Sequence, residues 1–128
     1  MSMAHRVILS ACLGVLGLSL LVPGLLNVLR PGTGTPGLVA TNADAANHVR
    51  ALNGMMAAVG AGALWACLDL PRARQLILAL GVIMAALVLA RAYSIALDGM
   101  PGMATRLYLL VELLFGLVFL GWAPPPHS

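Results

Sequence analysis

The chain contains no lysine, and charge of either sign is scarce: seven arginines and four acidic residues make up 9% of the sequence. Soluble domains carry about a quarter charged residues, so a water-facing surface of the usual kind is excluded. The arginines are dispersed, and aromatic partners are few, with two each of Trp, Tyr and Phe. That excludes a nucleic-acid partner, which needs a basic stripe with stacking residues between its charges. Only two cysteines occur, Cys12 and Cys67, both inside apolar runs. They fit neither a disulfide framework nor a zinc motif and read as small buried hydrophobes. No glycine-rich phosphate loop, G-x-S-x-G, H-E-x-x-H or C-x-x-C pattern is present, so no cofactor, metal or catalytic residue is assigned.

What fills the sequence instead is apolar: 61% of its 128 residues are hydrophobic. A chain of this size buries only about two-thirds of its unfolded surface, and in water the remainder would form large greasy patches. Lipid is the solvent such patches prefer. Four apolar stretches, at about residues 7–29, 45–70, 75–97 and 102–122, are long enough at 1.5 Å per residue to cross a hydrocarbon core near 30 Å. Between them lie the helix breakers of residues 30–37, a basic turn at 71–74 and the Asp98-Gly99-Met100-Pro101 stop, and three prolines follow the last stretch. The expectation is an all-α, membrane-embedded four-helix bundle with up-down-up-down connections, forming one domain over residues 1–128. The first stretch is too long for the apolar region of a cleaved signal and reads as a retained span.

An even number of spans places both termini and the 71–74 turn on one side. Trp65 and Trp122 fall toward that side, and Tyr93 and Tyr108 toward the other, as interfacial rings prefer. Arg6, Arg72 and Arg74 favour the termini as cytoplasmic.

Polar residues inside apolar helices carry the most information, because each costs free energy unless it finds a partner. They are Asn47, His48, Arg50 and Asn53 in the second stretch, Arg91, Ser94 and Asp98 in the third, and Glu112 in the fourth. Arg91, Ser94 and Asp98 stand at i, i+3, i+7 and share one helix face. Arg50 heads an i+4 row of small residues, Gly54, Ala58, Gly62 and Ala66, expected to pack against another helix. Facing mid-membrane lipid costs a charge about 2.5 to 3.5 kcal/mol, so two arginines and two carboxylates at similar depth are expected to pair. Asp98 closes a helix, where the dipole is negative, and calls for a positive neighbour such as Arg91 or Arg50. His48 with Asp98 and Glu112 has metal-ligand chemistry, but no paired-histidine spacing accompanies it. His5 and His127 read as solvated terminal residues.

The segments Ala45-Ala46-Asn47-His48-Val49-Arg50-Ala51-Leu52-Asn53-Gly54-Met55-Met56, Leu89-Ala90-Arg91-Ala92-Tyr93-Ser94, Asp98-Gly99-Met100-Pro101 and Glu112-Leu113-Leu114 together resemble a bacterial family of small four-helix membrane proteins. That family is known as domain of unknown function forty-three forty-five, and the resemblance runs from about Ala45 to Leu114. DoxX-type four-helix proteins are similar more loosely. The resemblance implies a four-helix bundle in a bacterial inner membrane and implies no activity.

Three functional readings follow. The leading one is a non-enzymatic binding or accessory subunit whose Arg/Asp/Glu cluster holds the helices together and lines a pocket for a small amphiphile or lipid. Membrane lipids are then the immediate partners, with a homo-oligomer or a larger membrane complex as the protein partnership. The alternatives are a small transporter acting as an oligomer, since four helices are too few to enclose a path alone, and a lipid-modifying enzyme with Asp98 or Glu112 as base near His48.

Overall fold

The computed structural model describes residues 1–126, so His127 lies outside the described residues. It is all-helical, with α1 at Met3–Leu29, α2 at Ala43–Ala66, α3 at Arg74–Asp98 and α4 at Met103–Gly121. Local chemistry explains each boundary. The Ser2 hydroxyl accepts the His5 backbone N–H at 3.1 Å, which starts α1 four residues ahead of the apolar run. Asn42 caps α2, its side-chain oxygen accepting the Ala45 N–H at 2.8 Å. The second apolar stretch continues to Leu70, but α2 stops at Ala66. Its last turn tightens to i→i+3 bonds from Cys67 and Leu68, and Asp69 then organises the following turn by accepting the Arg72 N–H at 3.3 Å. Gly99 ends α3 with φ at +87°, a backbone conformation that side chains other than glycine resist, and Pro101 follows.

Three helices are long and apolar enough to cross a membrane: α1, α3 and α4. Between 17% and 28% of each candidate span is buried within the chain, so most of this apolar surface faces outward. α2 does not reach that standard. Its first turns carry Asp44, Asn47, His48, Arg50 and Asn53, and much of the rest is Ala and Gly, which add little hydropathy.

The chain divides into two compact units. The first joins Met1–Ser10 to the chain from Asp69 onward. Here α3 and α4 pack antiparallel over Ile77, Leu80, Met84, Phe115 and Phe119, all buried. Gly81 sits under Leu120 and Phe119, where even a methyl group would be crowded. His5 is also buried, contrary to the expectation of a solvated ring. It stacks on Trp122 with centroids 4.1 Å apart, and its Nε2 lies 2.6 Å from the Trp122 carbonyl oxygen, which places the proton on that nitrogen. Arg74 donates to the Pro124 carbonyl at 2.9 Å. Both bonds serve backbone acceptors beyond the end of α4 that apolar surroundings would otherwise strand.

The second unit is Ala11–Leu68. In it α1 and α2 approach backbone to backbone: a Cβ built on Gly60 would lie 2.6 Å from the Gly17 carbonyl oxygen and 2.6 Å from the Leu21 nitrogen. Close approach through glycine is the way helices associate where lipid supplies no hydrophobic drive. The packing face of α2 is Asn53, Ala57, Gly60, Ala63 and Ala66. The expected row of Arg50, Gly54, Ala58, Gly62 and Ala66 is not that face: Arg50, Gly54 and Ala58 are exposed, Gly62 is half-buried and only Ala66 is buried. Steps of four residues drift by about 40° each on a 3.6-residue helix, so such a row turns by about 160° over its length. A mixed step of three and four follows the contact line instead. Cys12 and Cys67 are both half-buried thiols, and the Cys67 Sγ lies 3.6 Å from the Ala63 carbonyl.

Candidate functional site

In the first unit, Arg91 of α3 and Glu112 of α4 form a two-pronged ion pair, Nε to Oε2 at 2.6 Å and Nη2 to Oε1 at 2.8 Å. Parallel N–H···O bonds of this kind combine charge with fixed geometry. The residues stand about 10 to 14 Å along their helices from the 99–102 turn, which is why they meet across an antiparallel pair. The Glu112 side chain is 13% exposed and that of Arg91 31%, so the pair is sheltered rather than sealed. The Tyr108 ring, its centroid 5.7 Å from the guanidinium carbon, adds a cation–π contact.

Beside this pair lies a cleft of about 450 Å³ between α3 and α4, within the range of small-molecule sites. Arg91, Ser94 and Asp98 form one polar wall, and Thr105 adds a hydroxyl from α4. Leu87, Ala90, Ile95 and Leu109 line the apolar part, and residues 99–101 form the rim. Asp98 was expected to draw a positive partner. Its hydrogen bond comes instead from the Ser94 hydroxyl at 3.4 Å, one turn back, while Arg91 is taken up by Glu112.

The remaining polar residues of interest lie in the second unit. The Arg50 Nε donates to the Val28 carbonyl at 2.9 Å, supplying both a donor and a positive charge to the C-terminus of α1. Asn47 and His48 are exposed on the first turns of α2. Asn53 is buried, and with it a residue that sequence reasoning passed over: Asn27. The Asn27 amide nitrogen donates to Asn53 Oδ1 at 3.1 Å and to the Thr35 hydroxyl at 3.0 Å. Its carbonyl oxygen accepts the Gly32 and Gly34 backbone N–H groups at 3.0 and 3.1 Å. Asn53 completes the knot by donating to the Val49 carbonyl at 2.8 Å. The signal was present as a lone amide near the end of an apolar run, followed at once by a glycine-rich loop.

Among the described residues no buried side-chain nitrogen or oxygen lacks a partner, and no group of three His, Cys, Asp or Glu side chains is arranged to hold a metal ion. Chemically, the α3–α4 cleft offers one carboxylate, two hydroxyls and the outer edge of a paired guanidinium above an apolar floor, which suits recognition of a head-and-tail molecule. No curated protein and no solved structure matches the chain. A family model does match, over residues 8–123, and nearly the whole of the four helices falls inside it; the chain therefore belongs to the family described as Domain of unknown function (DUF4345).

Proposed function

We propose that this chain is a multi-pass protein of a bacterial inner membrane, with α2 as a fourth span and both termini cytoplasmic, that binds amphiphiles without chemically altering them. The α3–α4 cleft is the binding site, and membrane lipids or a hydrophobic small molecule are its occupants. One observation carries the reading: a cleft of about 450 Å³ whose lining combines Arg91, Ser94, Asp98 and Thr105 with Leu87, Ile95 and Leu109, on helices whose outer faces are apolar. α2 fits a span despite its polar start, because Asn53 is bonded to Asn27 and Arg50 to a helix end, so neither need meet lipid alone.

The test is occupancy of the cleft in the full chain. Protein extracted with its surrounding lipid into polymer-bounded discs should retain a bound amphiphile detectable by native mass spectrometry. Leu109→Trp, which fills the cleft and touches no charge, should release it while leaving the melting temperature within a few degrees. Equal retention in wild type and Leu109→Trp would end the proposal.

A further inference from the structure

The α3–α4 cleft is charged unevenly. Two charged side chains stand on its wall, Arg91 and Asp98. Glu112 neutralises Arg91 through bonds of 2.6 and 2.8 Å, whereas Asp98 receives only the Ser94 hydroxyl at 3.4 Å. Among the described residues the ion pairs formed are Arg91–Glu112 and Arg72–Asp69, so no cation answers Asp98. Arg106 is the other arginine at this end of the helix pair, but it is exposed and only its neighbour Thr105 reaches the wall. Asp98 is also the last residue of α3, where unpaired carbonyls gather partial negative charge. Asp98 is exposed at that pole and shares the cleft lining with Ile95 and Leu109, so an unpaired negative charge stands beside apolar surface.

We infer that the cleft selects amphiphiles whose head is a positively charged ammonium group. The nitrogen sits against the Asp98 carboxylate, with the Ser94 and Thr105 hydroxyls beside it, and the apolar body lies along Leu87, Ile95 and Leu109. An anionic head would meet Asp98 as a like charge and find the nearest guanidinium already paired. The inference rests on the binding reading above and adds the sign of the head. The same ammonium chemistry comes from two sources, an aminophospholipid of the bilayer or a free long-chain amine.

Full-length protein in maltoside micelles, presented with dodecylamine or dodecyl sulfate and read by native mass spectrometry, separates the outcomes. Wild type should bind the amine at least about tenfold more tightly than the sulfate. Asp98→Asn should erase that preference, and so should Thr105→Lys, which keeps Asp98 but sets a cation in the same cleft from α4. Leu109→Trp should remove binding of both probes. Equal affinity for amine and sulfate, both lost in Leu109→Trp, would overturn the sign of the head yet leave the cleft a binding site. Binding that Leu109→Trp does not change would overturn both readings. With the preference in hand, discs containing phosphatidylethanolamine identify the source: displacement of the amine by that lipid assigns an aminophospholipid, and undiminished amine binding assigns a free amine.

Discussion

The two polar sites of this chain, Asn27 with Asn53 in one unit and Arg91 with Glu112 and Asp98 in the other, solve the problem of polarity among apolar helices in opposite ways. Asn27 is neutral and fully used: both ends of its amide are taken by Thr35, Asn53 and two backbone N–H groups, and nothing is left for an outsider. Its surroundings are equally full, for a methyl group on Gly24 would meet Asn53 and Ala57 near 3 Å, and one on Gly34 would collide with the Pro23 carbonyl. Arg91 and Asp98 are ionic and only partly used, and a cleft opens beside them. The first arrangement fixes a loop to a helix pair. The second holds a helix pair together and leaves hydrogen-bonding capacity unused beside an open cleft, the feature on which the proposed binding role rests.

Substitutions can break or sharpen that contrast. The largest loss belongs to the closed side, at Gly60→Leu, where a side chain must fit between backbones that leave room for none. The expected cost exceeds about 3 kcal/mol, seen as loss of monodisperse protein on size-exclusion chromatography. Asn27→Leu comes next, at about 3 kcal/mol, because it strands the Gly32 and Gly34 N–H groups and Asn53 together. Protease cutting in residues 30–37 should rise with it, and an uncut loop would show that Asn27 does not hold it. On the open side, Glu112→Gln and Arg91→Met should each cost about 2 kcal/mol in thermal or denaturant unfolding. Their combination should cost less than the sum, since no lone charge is left behind. Additive losses would mean that the two side chains are not partners. The smallest change is expected at Asp98→Asn, within about 0.5 kcal/mol, because its one hydrogen bond is long and exposed. A large destabilisation there would show that Asp98 holds the fold together, against the binding role proposed for it.

Much of the helical frame was legible because apolar runs and their Gly/Pro punctuation depend only on neighbours in sequence. The 3.6-residue period likewise places Arg91, Ser94 and Asp98 on one face, and those three line the cleft. Asn27 escaped notice because a single amide hardly lowers the hydropathy of an apolar run, and its value lies in loop backbone that folds back onto it. The packing row of α2 was misplaced because small residues occur all round that helix, so composition could not say which way it faces. His5 looked solvated because its partner is a backbone carbonyl 117 residues away, and no side-chain pattern advertises such an acceptor. Charge alone points Asp98 to an arginine. Side-chain reach decided otherwise, giving Arg91 to Glu112 and leaving Asp98 with a hydroxyl.

The fork between Arg91 and Glu112 also constrains rotation. A single hydrogen bond lets one rod roll beneath another, whereas two parallel bonds behave as a hinge plate and resist torsion of α4 about its own long axis. A lysine ammonium, being a point rather than a plate, would keep the attraction and lose the torque, so even the exchange of one cation for another would free the cleft's far wall to turn.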